Sequence, residues 1–351
     1  MNNPDFLIIG AGVVGLSTAW ELRRAGARVA IVERGFAGCE SSWAGGGMLF
    51  PLSPWRYAEA VTALTELARV VYPEWIAELQ AASNVDAEYR QSGLLVLPPA
   101  DFDKARAWCA ARDLAANVVS GSDISPALAG HDEALWLPQA AQVRNPRLIR
   151  ALLAALRKQG VVLYEQSEVK ELVFAKDKIT HVATSKDEMA AKAVIVCAGA
   201  WSQRLLGDQA AGADIFPIAG QMLLYKSDPG TLPAMVMRGD RYLIPRDDGH
   251  VLAGSTQELT GFEKATTVSA AEDLHASAIT MLPLLSTLQP IAQWTGLRPG
   301  SRDNIPLIGR HPRIDNLYIN SGHFRYGLTM APAAARLLAN SIAGRPQPLD
   351  A

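Results

Sequence analysis

Cysteine is scarce in this sequence, with Cys39, Cys109 and Cys197 the three in 351 residues. They form no CxxC pair and have no histidines grouped around them. That sets aside a disulfide framework and a zinc site, and no other metal-ligand spacing is found; reduced thiols in a cytoplasmic protein fit better. Long apolar runs are missing as well. No window approaches about 18 uninterrupted apolar residues, so no membrane span is expected. The apolar N-terminal stretch follows Asp5 and is interrupted by glycines, unlike a signal peptide. Excess charge of either sign is also absent: 33 Lys+Arg against 35 Asp+Glu give a net charge of -2. With no Lys/Arg-rich run either, nucleic acid is not an expected partner. Internal repeats and low-complexity tracts are lacking.

What is present reads as an ordinary globular chain, 49% hydrophobic and 19% charged, long enough for two domains. Phe6-Leu7-Ile8-Ile9 suits a strand buried on both faces. A helix is predicted over 13–24 with Gly26 closing it, then a second buried strand over 28–33. Helices are predicted over 55–83, 101–116 and from Pro146 to Lys158, the last stopping at Gly160. Strands are predicted at 93–97, 117–119 and 161–164, and three strand-like runs lie between 168 and 197. Residues 214–259 read as antiparallel sheet, with turn signals such as Arg246-Asp247-Asp248-Gly249. A final helix is predicted from near Pro332 to Gly344. One unit thus spans 1–83, 140–212 and 300–351, and 84–139 with 213–299 form a second domain.

Gly10-Ala11-Gly12-Val13-Val14-Gly15 follows a strand and opens a helix, and Glu33 ends the next strand. In this context the glycines make a tight turn, admit a pyrophosphate to the backbone, and let helix and strand pack closely. The helix N-terminus offers free N–H groups and a positive dipole end to the phosphates. Glu33 would accept hydrogen bonds from ribose hydroxyls. Shortly afterwards comes Ser41-Ser42-Trp43-Ala44-Gly45-Gly46-Gly47-Met48. Three successive glycines suggest close backbone approach to a flat or anionic group, although a flexible surface loop has the same composition.

These stretches recur in a familiar order with Thr295-Gly296-Leu297-Arg298-Pro299-Gly300 and Gly322-His323-Phe324-Arg325-Tyr326-Gly327. Together they resemble the D-amino-acid oxidase family of FAD enzymes, and within it most closely the glycine-oxidising members of the thiamine pathway. The resemblance implies an α/β architecture: a glutathione-reductase-type, Rossmann-like FAD-binding domain with a mostly parallel sheet, and a second antiparallel-sheet substrate domain. It implies FAD contacts from Val13, Val14, Glu33, Arg34, Ser41, Ser42, Gly46, Gly47 and Met48. Val169 matches a position at the adenine end, and Gly199 is carried with the cofactor site. The run His323, Phe324, Arg325, Tyr326, Gly327, Leu328 and Thr329 matches the segment beside the flavin ring. Relatives that tether FAD use a C-terminal cysteine; none follows Cys197 here, so FAD is expected to be non-covalent. Tyr326 stands where the glycine-oxidising members are expected to carry Asn.

A substrate carboxylate in an apolar pocket needs a cation, and the arginine fork suits it best. Arg298 matches the family's carboxylate anchor, Arg325 a second substrate-facing position, and Tyr242 a tyrosine bonding the same carboxylate. The implied chemistry is hydride transfer from Cα of a neutral amine to the flavin, then hydrolysis to a 2-oxo acid and ammonia, with O2 reduced to H2O2. No side-chain base is required. Glycine is the expected substrate, with sarcosine or small D-amino acids beside it. The sequence also admits a D-amino-acid dehydrogenase serving a quinone, a non-catalytic flavin-binding sensor, and a homo-oligomer.

Overall fold

The computed structural model describes residues 3–50, 53–210 and 214–349. The expected junction at 212 and 213 lies outside the described residues. Two large sheets organise the chain. The first is six-stranded, in the order Leu307–Arg310, Leu317–Ser321, Ala193–Val196, Phe6–Ile9, Val29–Val32 and Val162–Tyr164. Its pairings are parallel except at the Leu307–Arg310 edge, which is antiparallel.

The short apolar strands sort their side chains by alternation. Ile8, Ile31 and Ile195 face one layer and meet Leu16, Trp75, Leu148 and Leu338 from the covering helices. Leu7, Ile9, Ala30, Val194 and Val196 point the other way, onto Leu172 and Val182. Those two belong to a three-stranded antiparallel sheet of Val169–Ala175, Lys178–Thr184 and Glu188–Met189. Each fully buried side chain of this kind contributes ~1.5–3 kcal/mol. Of the strand-like runs expected between 168 and 197, only Ala193–Val196 therefore joins the parallel sheet.

The second large sheet has eight strands, in the order Ala292–Ser301, Ile215–Lys226, His250–Gly254, Arg241–Pro245, Met235–Arg238, Leu94–Leu97, Ala134–Leu137 and Asn117–Val119. It is antiparallel apart from one parallel pairing, Met235–Arg238 with Leu94–Leu97. Helix Val268–Met281 covers one face through Leu274 and Ala278. The other face presents Met222, Tyr242 and Ile244. The motif Thr295–Gly300 turns out to be part of a ten-residue strand paired with Ile215–Lys226 in register from Ile215↔Ser301 to Leu224↔Ala292.

Three helix bounds differ from the sequence expectation. The helix expected over 101–116 spans Phe102–Ala110. Asp101 caps it by accepting from the Lys104 amide at 2.9 Å, and the amide of Leu114 closes it onto the carbonyl of Cys109 at 3.0 Å, with Asp113 at φ 52°. The helix expected over 55–83 spans Glu59–Ser83, preceded by a separate 3-10 turn at Pro54–Arg56. The last helix spans Gly327–Ala343, so Pro332 sits inside it rather than at its start. A proline at the sixth helical position leaves the carbonyl of Leu328 without its usual donor. The hydroxyl of Tyr72 fills that place, donating to Leu328 O at 3.3 Å.

Candidate active site

A cavity of about 420 Å³ is lined by residues from both large sheets and the loops beside them. Its first wall is the loop between Phe6–Ile9 and helix Val13–Arg24. Gly10 adopts φ +107°, and a Cβ there would overlap the carbonyl of Cys197. A Cβ on Gly15 would overlap the carbonyl of Gly10, so Gly15 lies beneath the loop and allows helix–strand packing without lining the cavity. Gly12, Val13 and Val14 line it.

Glu33 also lines the cavity. Its Oε2 accepts from the Ala11 amide at 2.8 Å and its Oε1 from the Gly35 amide at 2.9 Å. One carboxylate therefore fixes the glycine loop against the end of the second strand, and each oxygen keeps a further lone pair. Ser42 Oγ accepts from the Val13 amide at 2.9 Å, satisfying a helix N-terminal donor while its own hydroxyl proton stays available to an anion. Ser41 lies beside it on the wall. Arg34 stacks over Trp201, 3.4 Å from the ring centroid, and pairs with Glu40; Val169 and Gly199 line the same end.

The triple glycine is a rigid wall rather than a loose loop. Gly47 has φ +84°, and a Cβ there would overlap Val143 O and Asn145 Oδ1; one on Gly46 would come within 2.6 Å of Ile244 Cδ1. Arg246, which the sequence reading took only as part of a turn, reaches across from the second sheet. It donates to Gly46 O at 2.7 Å, Val143 O at 3.0 Å and Gln142 Oε1 at 2.9 Å. Burial pulls its pKa down to about 10, which still leaves it charged at neutral pH. Strand alternation could have revealed it, because Tyr242, Ile244 and Arg246 are two residues apart and share a face. Asn145 was missed as well: it opens helix Asn145–Lys158 and donates to Ser42 O and Gly45 O at 3.0 and 2.8 Å.

At the opposite end the geometry brings Tyr242, Arg298 and Arg325 to one cavity. Arg298 lies across Gly220, where any Cβ would overlap its guanidinium. It donates to Ser255 Oγ at 2.7 Å and to the carbonyls of Thr256 and Ala219 at 3.1 and 3.4 Å. None of these acceptors is charged. Burial lowers its pKa, and the nearby Arg325 charge adds to that. The Tyr242 hydroxyl has only the thioether of Met222 as acceptor, at 3.5 Å. Arg325 pairs with Asp240 at 3.4 Å.

His323, Phe324, Tyr326, Gly327 and Leu328 line the cavity with Arg325, and Met48 lines it from the glycine loop. Thr329 does not; it donates to Met48 O at 3.2 Å and ties the two segments together. Burial drives the His323 pKa down to about 3, so its imidazole is neutral and a poor proton acceptor. The pKa of Cys197, buried against the Gly10 loop, is pushed up by that burial to about 12, and it stays a thiol.

The residues fit a flat anionic dinucleotide. Without a Cβ, the Gly10 and Gly46–Gly47 backbone packs directly against neighbouring protein atoms at the cavity wall, and four buried polar atoms on lining residues, Asn145 Oδ1, Asn320 Oδ1, His323 Nε2 and Tyr326 Oη, have no partner within the protein. Among the described residues no helix is long and apolar enough to cross a membrane.

Comparison with known proteins agrees. A glycine oxidase from Pseudomonas aeruginosa is 44% identical over 349 residues, covering 98% of this chain and 96% of that protein. The crystal structure of a glycine oxidase from Bacillus cereus superposes with a TM-score of 0.92 at 27% identity, covering 98% of this chain and 96% of that one. The bifunctional protein ThiO/ThiG of a Synechocystis species is 29% identical over 356 residues, covering 96% of this chain and 51% of that protein. The family model described as FAD dependent oxidoreductase matches residues 5–341. With that match running through the glycine loop, both sheets and the last helix, the chain belongs to the D-amino-acid oxidase family of FAD-dependent oxidoreductases, and FAD is its cofactor.

Proposed function

We propose that this chain is a glycine oxidase, converting glycine, O2 and water to glyoxylate, ammonia and H2O2, with sarcosine and small D-amino acids as further substrates. The observation that carries this reading is Arg298, a buried guanidinium on the cavity wall bonded only to neutral acceptors. Such a charge lowers its energy by receiving a carboxylate. The 44% identity to a glycine oxidase supports the same substrate.

Tyr242 adds a hydroxyl that is otherwise given only a thioether. A substrate carboxylate held by the fork of Arg298 and by Tyr242 orients Cα within the cavity. Burial holds His323 neutral, with its pKa down to about 3, so it is poorly suited to take the amine proton, and in this reading the amine reacts in its unprotonated form. Apolar neighbours such as Met222 and Ile244 keep water from the bound amino acid. FAD, when bound, supplies the two-electron acceptor and the reactivity toward O2.

Gly10, Gly12, Val13, Val14, Glu33, Arg34, Ser41 and Ser42 are assigned to the nucleotide half of FAD. Gly46, Gly47, Met48 and the run from His323 to Leu328 are assigned to its flavin half. FAD is held without a covalent bond in this reading, because no cysteine follows Cys197 in the sequence and Cys197 itself packs against Gly10 and Gly15 of the glycine loop. The six-stranded sheet is the core of an FAD domain and the eight-stranded sheet the core of a substrate domain. The reaction is placed in the supply of thiamine precursors, consistent with the ThiO/ThiG relative.

Purified protein mixed with glycine in an oxygen electrode tests the activity. Oxygen uptake with H2O2 release is expected. Dye reduction without oxygen uptake would instead identify a dehydrogenase, and a flavin band unchanged by any amine under anaerobic conditions would identify a sensor.

A further inference from the structure

Arg298 and Arg325, two of the guanidinium groups lining the cavity, have their charges compensated differently. Arg298 has no carboxylate within ion-pair distance among the described residues. Arg325 does: its Nη1 lies 3.4 Å from Asp240 Oδ1. The Arg325 side chain is 12% exposed and that of Asp240 is 61% exposed, so a carboxylate at the rim reaches an inner cation. Asp240 stands in the turn between strands Met235–Arg238 and Arg241–Pro245, two residues before Tyr242. The turn is fixed by Gly239 at φ +59° and by antiparallel pairing of Arg238 with Arg241.

Beside Tyr242, the lining guanidiniums of Arg298 and Arg325 and the one carboxylate of Asp240 leave a single positive charge for a ligand. One substrate carboxylate balances it. A second carboxylate would have to displace Asp240 from Arg325 and lie beside it, with like charges close together. We propose that Asp240 is a specificity-determining residue: by occupying Arg325 it restricts the site to amines carrying one carboxylate and disfavours dicarboxylates. This rests on the amino-acid oxidase reading above. In this scheme Arg298 binds the carboxylate common to all substrates, and the Asp240–Arg325 pair reads the rest of the molecule.

The test compares wild type with Asp240→Asn, which keeps the shape and removes the charge, and with Asp240→Glu, which restores it. kcat/KM is measured for glycine and for iminodiacetate by H2O2 release. Dissociation constants of acetate and malonate are measured from the perturbed flavin spectrum. For Asp240→Asn the iminodiacetate-to-glycine ratio of kcat/KM should rise about tenfold, the scale of one charge-assisted hydrogen bond gained. Malonate should tighten relative to acetate by a similar factor, and Asp240→Glu should return both ratios toward wild type. Unchanged ratios in Asp240→Asn, with wild type oxidising glycine, would overturn the proposal. If wild type oxidises no amine, the oxidase reading fails by itself, and the malonate-to-acetate ratio still decides the role of Asp240.

Discussion

The hydroxyl of Tyr72 donates to the carbonyl of Leu328 at 3.3 Å, the acceptor that Pro332 leaves empty four residues further along the last helix. Tyr72 belongs to helix Glu59–Ser83, so one helix repairs the hydrogen-bond ladder of another. Leu328 also lines the cavity, which makes the repair local to the candidate site. Burial raises the Tyr72 pKa, so the phenol keeps its proton.

Tyr72→Phe should therefore cost ~1 kcal/mol, the scale of one lost hydrogen bond to a half-buried carbonyl. In a Pro332→Ala background the restored amide takes over the bond, and the same substitution should cost markedly less. Urea unfolding of the four proteins measures the coupling. Additive costs would show that the hydroxyl does not serve the Pro332 gap.

Arg298→Ala should retain FAD and lose substrate affinity. Removing one side of a buried charge-assisted pair corresponds to roughly a 100-fold rise in KM for glycine. The flavin absorbance of the purified variant reports cofactor retention, and acetate titration reports the carboxylate site. Acetate binding as tight as in wild type would remove Arg298 from that role.

Glu33→Ala removes the acceptor of two backbone amides, those of Ala11 and Gly35, along with the carboxylate facing the cavity. Apoprotein titrated with FAD should show a dissociation constant weaker by about ten- to a hundredfold, the loss of one or two such bonds. A lowered melting temperature with unchanged FAD affinity would confine Glu33 to a structural role.

His323 gives the protein an acid limb of stability. Its folded pKa of about 3 lies below the ordinary 6.5 because burial disfavours the cation. Between those values the unfolded chain binds a proton that the folded chain does not, so stability is full above pH 6.5 and declines as pH falls toward 3. The slope is at most ~1.4 kcal/mol per pH unit for one such group. His323→Gln should flatten the decline, measured as urea midpoints at pH 7 and pH 5. An equal decline in both proteins would assign it to other groups.

Much of the β-α-β start was legible in the sequence because its signals are local. The apolar run Phe6–Ile9, the glycines after it and the acid at Glu33 lie within one β-α-β unit, and their spacing follows from strand and helix geometry. The resemblance drew Tyr242, Arg298 and Arg325 together, and the structure places all three on one cavity. Pro332 misled the helix boundary because its compensating donor, Tyr72, is remote in sequence.

What the sequence determined by itself is the β-α-β start with its glycine loop and the kinds of residue available around Tyr242. The tertiary structure decided their electrostatic state. Arg298 and Arg325 are the same residue type in similar glycine-rich surroundings, yet one faces neutral acceptors and the other faces Asp240. Arg246 likewise acquired its task only when the second sheet was laid against the Gly46 loop. A side chain's type is written in the chain, but its neighbours are fixed by long-range packing. The energy of a buried charge depends on those neighbours.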